Sequence, residues 1–345
     1  MTNVRDIGER LEDFLSANAP ADTARALLAF ARAALPVAHL IRRGPLAGAL
    51  DAAVGPSHDD VAQKALDAFA DEAFVEGLKG AGLRGLVSEE RETPVFLDAE
   101  GILLAAIDPL DGSSNIDANM SIGSVISLLD APAGGLKVTH VLPPGRRQRA
   151  AAFVIYGPHV AFVFTTGAGV SIATLDPNAG DYRMSGVRIR TPAATNEFAI
   201  NASNSRCWPQ PVRAYVEDLV EGEEGPRGKA YNMRWTGTMV AELYRILLRG
   251  GVYLYPQDSR EGYEQGRLRL LYEASPAALI IEQAGGAAID GFHRILDIEP
   301  KSIHARTPLI FGSSDKVERV AAYYREESVL ASGSPLFARR GLLRR

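Results

Sequence analysis

Apolar positions in the first part of the chain recur at helical spacing. Ile7, Leu11, Phe14 and Leu15 mark one amphipathic helix. Leu27, Leu28, Phe30, Ala31 and Leu35 mark a second that starts near Asp22-Thr23. Pro36 has no N–H, so 37–41 either continues that helix through a kink or forms its own, and Gly44-Pro45 ends it. Val61, Leu66, Phe69, Phe74 and Leu78 predict a further helix over 59–78, carrying Gln63, Lys64 and Asp67.

The pattern then changes to short apolar runs bounded by turn residues, the sign of strands. One run, 85–90, ends in Glu89-Glu90, and another, 102–107, ends at Asp108. Strands follow at 124–129 and 187–190, and a hairpin at 149–156 and 159–166 turns at Gly157-Pro158. Gly167-Ala168-Gly169 lacks the further glycine and helix of a dinucleotide loop and reads as a turn between strands. A composition shift near Thr191 divides the chain into a domain at 1–190, helical layer plus sheet, and a second at 191–330. In the second, 198–200 is an apolar run, 211–220 and 236–248 read as helices, and 252–255 reads as a strand. The stretch 268–273 leads into a helix through Ile281, 309–311 is a last strand and 315–324 a last helix. The basic tail, 331–345, is expected to be disordered. Mixed helices and antiparallel-looking strands without βαβ alternation predict a layered α+β fold.

The run at 102–107 opens into Asp108-Pro109-Leu110-Asp111-Gly112-Ser113-Ser114-Asn115. Pro109 disfavours a helical conformation at Asp108 and predicts a break in regular structure there. Asp108 and Asp111 offer hard anionic oxygens suited to a Mg²⁺ corner. Gly112 to Asn115 offers small residues, backbone N–H groups and hydroxyls suited to a phosphate. A metal beside a phosphate is what metal-assisted phosphate-ester hydrolysis requires; the competing reading is an ordinary strand and a polar turn. If the strand ending at Glu89-Glu90 lies beside this one, the four acids cluster, at a cost unless cations neutralise them.

With 345 residues, 46% hydrophobic and 23% charged, the chain can bury a large core. A net charge of −5 argues against nucleic acid as a partner. The single cysteine, Cys207, excludes an intrachain disulfide or a multi-cysteine zinc site and fits a reducing, cytoplasmic setting. No apolar run approaches the ~20 residues of a membrane helix, and the N-terminus lacks the layout of a secretory signal, so no membrane association is expected. The 6 histidines show no metal spacing, and His304 reads as structural.

Further motifs accompany the acidic loop in a fixed order. They are Ser88-Glu89-Glu90, DPLDGSSNID at 108–117, LDP at 175–177 and GTMVAELYRILLRGGVYLYP at 237–256. GRLRLLYEASP at 266–276, EQAGG at 282–286 and IHARTP at 303–308 complete the set. Over about 59–313 the chain thereby resembles the class I fructose-1,6-bisphosphatases, with several motifs also similar to sedoheptulose-bisphosphatases. The resemblance implies a layered α-β-α-β-α sugar-phosphatase fold with mixed, largely antiparallel sheets. It implies Mg²⁺-dependent hydrolysis of the C1 phosphate of fructose 1,6-bisphosphate, with roughly two or three Mg²⁺ per subunit and Mn²⁺ as a substitute. The pathway, gluconeogenesis or the Calvin cycle, stays open.

Residue by residue, the resemblance makes Glu89, Asp108, Asp111, Glu273 and the Leu110 carbonyl metal ligands. Glu90 and Asp67 would orient and deprotonate the attacking water. Asp111, Gly112, Ser113 and Ser114 would hold the cleaved phosphate, and Asn201, Tyr255 and Arg267 the sugar and distal phosphate. Met239 would lie against the sugar, and Arg234 would reach into a neighbouring subunit's site, which implies a homotetramer. Trp235 stands where the family usually has a phosphate-binding tyrosine, and Asn204 likewise replaces a tyrosine. Arg267 replaces a lysine, and Val61 replaces a common acid, with Asp60 one place early. Ile102, Leu103 and Asp130 align with the animal AMP site's Lys-Tyr pair and arginine, so inhibition by that route is expected to be absent or weak. A non-catalytic sugar-phosphate-binding regulator on the same fold is the alternative of another class.

Overall fold

A computed structural model describes residues 7–56, 62–132, 136 and 143–332, with the backbone alone at 55–56, 62–63 and 327–332. The expected start of a helix at 59–61, the Asp60 and Val61 positions and the tail beyond 332 lie outside these residues.

The chain opens with α1 (Leu11–Asn18) and α2 (Ala21–Arg43), then an antiparallel pair, β1 (Ala53–Pro56) and β2 (Ala62–Lys64). Helix α3 (Ala65–Gly77) leads into β3 (Leu83–Ser88), β4 (Val95–Phe96), β5 (Leu103–Asp111) and β6 (Ile122–Asp130). Four strands follow, β7 (Ala150–Tyr156), β8 (Val160–Thr165), β9 (Val170–Asp176) and β10 (Asp181–Ile189). They complete an eight-stranded sheet in the order β10-β9-β8-β7-β6-β5-β3-β4. Its pairings are antiparallel except β3 with β5, which run side by side in parallel. The strand of Glu89-Glu90 thus does lie beside that of Asp108.

The second half comprises β11 (Glu197–Ala199), α4 (Gln210–Val220), β12 (Asn232–Met233), α5 (Met239–Arg249) and β13 (Val252–Tyr255). It continues through β14 (Leu268–Arg269), a π-helical turn (Leu270–Ala274), α6 (Ser275–Gln283) and β15 (Gly286–Ile289). It ends with β16 (Arg306–Thr307), β17 (Leu309–Ser313) and α7 (Ser314–Ser332). Five of these strands form a mixed sheet, β12-β11-β13-β17-β15, while β14 and β16 pair separately.

Alternation along the strands assigns the layers. Leu103, Ala105 and Ile107 pack with α1, α2 and α3, as do Ala152 and Val154. Val125, Phe153 and Ile155 point the other way, into a core shared with α5, α6 and Tyr253. Val252 and Leu254, out of phase with Tyr253, pack with α4 and α7. Because successive side chains in a strand face opposite sides, each sheet is covered on both faces. The result is the layered α-β-α-β-α, α+β arrangement expected.

Several local expectations change. The predicted break at Asp108-Pro109 is absent: β5 continues through Asp111, with its register shifted between Asp108 and Asp111. The parallel partner β3 ends opposite Ile107, so Pro109 removes no bond from that side. Its carbonyl instead accepts from the Ser124 hydroxyl at 2.7 Å. Residues 62–64 are extended, and the helix starts at Ala65. Ile7 and Phe69 are exposed and contribute nothing to the predicted faces. Pro36 lies inside α2 without ending it, and Val37 and Ala38 beyond it are buried with the same apolar face. By length and hydropathy alone the helical segment Ala21–Ala47 could cross a membrane. Here Leu27, Phe30, Ala34 and Val37 are fully buried against the protein's own core.

Candidate active site

The strand β5 delivers Asp108 and Asp111, and the π-helical turn after β14 delivers Glu273. Carboxylate oxygens of these three buried residues lie within 4.8 Å of one another. Such a turn widens a helix by one residue and often re-aims a functional side chain; here Glu273 bends back to accept the Arg269 N–H at 2.5 Å. Asp108 accepts the Leu110 N–H at 3.0 Å, which orients its carboxylate from its own strand. Asp111 accepts the Val240 N–H at 2.7 Å. It therefore caps the N-terminus of α5, where an anion is favoured, and ties the large sheet to the middle helical layer.

Burial is the main cause that raises the pKa values of these acids. It raises Asp108 well above the usual carboxylate range, and repulsion from Glu89, Asp111, Glu273 and Glu90 raises it further. Burial and Glu89 raise Glu273 in the same direction. Asp111 is raised only to about 6, because the α5 backbone N–H groups oppose burial. Glu89 and Glu90 thus act on the same cluster from the end of β3. All donors are hard oxygens, the set that Mg²⁺ or Mn²⁺ takes and that a softer, thiol-seeking ion does not. The residues present fit such a cation.

Gly112 follows Asp111 in the left-handed region, at φ 86° and ψ 32°. A β-carbon there would sit 2.0 Å from Thr238 Cγ2. Only glycine meets both demands, and it turns the chain into a short 3₁₀ turn, Ser113–Asn115. Lys64 donates to the Ser113 carbonyl at 2.8 Å, and the Asn115 amide donates to the Thr236 carbonyl at 2.9 Å. The loop is therefore held between the start of α3 and the segment before α5. Asp67, in the first turn of α3, accepts the Lys64 N–H at 3.0 Å through Oδ2. Its Oδ1 is buried without a hydrogen-bond partner among the described residues, and burial raises the group to about 6.

The residues expected around the sugar are placed less uniformly. Trp235 stacks on Tyr255 and on Tyr253, each at 5.8 Å between ring centroids. Tyr255 is near enough to feel both Arg267 and Glu273, which brings that end of the site to the carboxylates. Arg267 donates to the Tyr263 hydroxyl at 2.6 Å. Asn201 spends its carbonyl oxygen locally, accepting from the Ser203 hydroxyl at 2.6 Å and its N–H at 3.2 Å. Met239 is buried at the start of α5 within the inner core. Arg234 is half-exposed and paired with Glu197 of its own chain at 3.1 Å.

The sequence alone gives no role to two residues that shape the site. Arg269 is buried, its Nε lies 3.6 Å from Glu89, and its Nη1 donates to the His304 carbonyl at 3.3 Å. A lone cation inside the apolar run 268–271 was the available signal. Asp71 left none, since it looks like an ordinary helix-surface acid. It is buried, accepts the Ser88 hydroxyl at 2.6 Å and pairs with Arg91 at 2.6 Å. It thus grips the Glu89-Glu90 turn from both sides. Replacing Asp71 with alanine is expected to raise the Mg²⁺ concentration for half-maximal activity by ~10-fold or more, with a smaller loss at saturating Mg²⁺. A Mg²⁺ titration of turnover checks this; an unchanged titration would remove Asp71 from the metal's support.

Residues 10–186 match the family model described as fructose-1,6-bisphosphatase, N-terminal domain, and 191–325 match the one described as its C-terminal domain. The chain is 50% identical over 319 residues to a fructose-1,6-bisphosphatase class 1 of Paracoccus denitrificans, covering 92% of this chain and 94% of that protein. It is 48% identical over 336 residues to a fructose-1,6-bisphosphatase class 1 of Acidiphilium cryptum, covering 96% and 94%. Among solved structures, the holo form of Leishmania major fructose-1,6-bisphosphatase superposes with a TM-score of 0.87. That match has 32% identity and covers 92% of this chain and 99% of the other.

Proposed function

Because the chain belongs to the fructose-1,6-bisphosphatase family, we propose that the buried carboxylate cluster is its catalytic centre. The protein is a phosphoric monoester hydrolase that converts fructose 1,6-bisphosphate to fructose 6-phosphate and inorganic phosphate. The observation that carries the site assignment is the buried Asp108, Asp111 and Glu273 triad, which a cation would neutralise.

Glu89, Asp108, Asp111, Glu273 and the Leu110 carbonyl would hold Mg²⁺, or Mn²⁺ in its place. Such a cation, when bound, neutralises phosphoryl oxygens and acidifies water. Phosphoryl transfer needs an aligned nucleophile and charge stabilisation more than covalent protein chemistry. The Gly112 backbone and the Ser113 and Ser114 hydroxyls donate to the C1 phosphate. Asp67 and Glu90 orient the attacking water and accept its proton; Asp67, raised to about 6 and with an Oδ1 that has no partner among the described residues, is suited to that exchange near neutral pH. Tyr255, Arg267, the Asn201 amide and Met239 contact the sugar and the distal phosphate. Trp235 offers only its indole N–H there. Arg234 exchanges Glu197 for a neighbouring subunit's substrate in a homotetramer. The split near Thr191 separates a half that carries the metal loop from a half that carries most sugar contacts. The setting is the cytoplasm.

Phosphate release from fructose 1,6-bisphosphate and from sedoheptulose 1,7-bisphosphate, with and without Mg²⁺, tests the reading. Release that requires Mg²⁺ and favours the six-carbon substrate is expected. Preference for the seven-carbon sugar would trace to Trp235 and Asn204, and no release from either would indicate a binding protein.

Inhibition by AMP is expected to be weak. Leu103 and Asp130 are paired across β5 and β6, with Ile102 adjacent, so the three aligned positions do come together. Ile102 is an exposed aliphatic side chain, Leu103 is fully buried in the core, and the Asp130 carboxylate is engaged by Arg149 at 2.5 Å, so none of the three offers a phosphate a cation. An AMP titration with strong cooperative inhibition would contradict this.

A further inference from the structure

A cavity of about 850 Å³ opens between α4, α7 and the β12 edge of the second sheet. No residue lining it belongs to the carboxylate cluster or the sugar contacts. Arg227, Lys229, Arg249, Lys316 and Arg319 bring five cations to its wall, against the carboxylates of Glu197 and Asp315. Glu197 is already engaged by Arg234, Arg245 and Arg249. Among the lining residues that leaves Asp315 as the carboxylate facing Arg227, Lys229, Lys316 and Arg319, with the buried Asp218 behind the wall accepting from the Tyr323 hydroxyl. Like charges gathered in a concavity raise the local potential and attract a counter-anion.

The wall is built rather than incidental. The Arg227 guanidinium lies 5.5 Å from the Tyr215 ring centre and 5.6 Å from that of Tyr323, and donates to the Tyr323 hydroxyl at 2.9 Å. Lys316 lies 4.7 Å from the Tyr231 ring centre and donates to its hydroxyl at 3.2 Å. Aromatic rings and hydroxyls thus hold both cations in place. Two buried donors in the same wall, Arg227 Nε and the Tyr215 hydroxyl, have no hydrogen-bond partner among the described residues. Buried donors are normally satisfied, so these two leave donor capacity in the wall. The volume falls in the range of small-molecule sites.

We propose that this cavity is a second, non-catalytic site for a small phosphate-bearing anion. Arginine forks and a lysine suit phosphate oxygens. The inference is independent of the catalytic reading, and its test does not use turnover. Tripolyphosphate and inorganic phosphate are titrated calorimetrically into the full metal-free chain, whose carboxylate cluster repels anions. Wild type is compared with the Lys316→Met, Arg319→Met double variant, both on α7. Saturable binding of about one tripolyphosphate per chain is expected, weaker for inorganic phosphate and reduced by ~10-fold or more in the variant. Circular dichroism and melting temperature should be unchanged. No saturable binding to wild type, or equal binding to both proteins, would overturn the site. A change in oligomeric state in the variant without loss of anion binding would overturn it too, and would assign the cations to a subunit contact.

Discussion

Replacing Asp111 with asparagine is expected to lower Mg²⁺-dependent phosphate release by on the order of 10³-fold while leaving the chain folded. The amide oxygen can still accept the Val240 N–H, so the cap on α5 is kept and only the charge is removed. The opposite signs of two melting experiments distinguish this from damage to the fold. Asp108, Asp111 and Glu273 all have pKa values raised by burial. Folding therefore takes up protons at these groups between their unfolded and folded pKa values. The metal-free protein should lose stability as pH rises from about 4, through about 6 for Asp111, and beyond that for Asp108 and Glu273. Mg²⁺ replaces the protons as counter-charge and should flatten the fall. With one repelling charge removed, the variant should melt at or above wild type in metal-free buffer at alkaline pH. It should gain less from Mg²⁺. Turnover within tenfold of wild type, or an unchanged Mg²⁺ effect on melting, would remove Asp111 from the ligand set.

Replacing Gly112 with alanine is expected to reduce turnover by ~100-fold or more, by displacing the loop that follows Asp111. A left-handed conformation costs a non-glycine residue ~1–2 kcal/mol. The larger effect is steric, since the new methyl would sit 2.0 Å from Thr238 Cγ2 and 2.8 Å from its Cβ. Relief must come from Thr238 or from the turn at Ser113–Asn115, and either movement shifts Asp111 or the proposed phosphate donors. The double variant Gly112→Ala, Thr238→Ser tests the cause. Serine deletes Cγ2 but keeps the hydroxyl that donates to the Ser121 carbonyl at 3.2 Å. Partial recovery of turnover is expected, with a non-additive double-mutant cycle. If the second substitution recovers nothing, the loss comes from backbone strain alone.

Much of the site was legible because its chemistry is concentrated in short contiguous strings. Asp108, Asp111 and Gly112 sit in one such string, and Glu89-Glu90 in another. The parallel pairing of β3 with β5 then makes them neighbours. The apolar runs also marked most strands, since strands covered on both faces read as continuous hydrophobic segments. Pro109 misled for a local reason: its effect on the ladder depends on whether a partner strand still runs alongside, and β3 has ended by then. Asp71 was invisible for the opposite reason. Its spacing on α3 is that of a surface acid, and only the approach of β3 buries it beside Ser88 and Arg91.

By itself, then, the sequence determined the chemistry at the acidic loop: hard oxygen donors, a glycine that must turn left-handed and hydroxyls for a phosphate. The tertiary structure alone decided what surrounds that loop. Glu273 reaches it from a residue more than 150 positions away only because a π-helical turn aims it there, and α5 lends Asp111 its backbone N–H groups. The cation-lined cavity beneath α7 has no contiguous motif, because its charges come from separate elements. Burial and long-range approach, which set both the cost of ionising an acid and the potential of a cation cluster, depend on how layers stack. Residue order along the chain does not record that stacking.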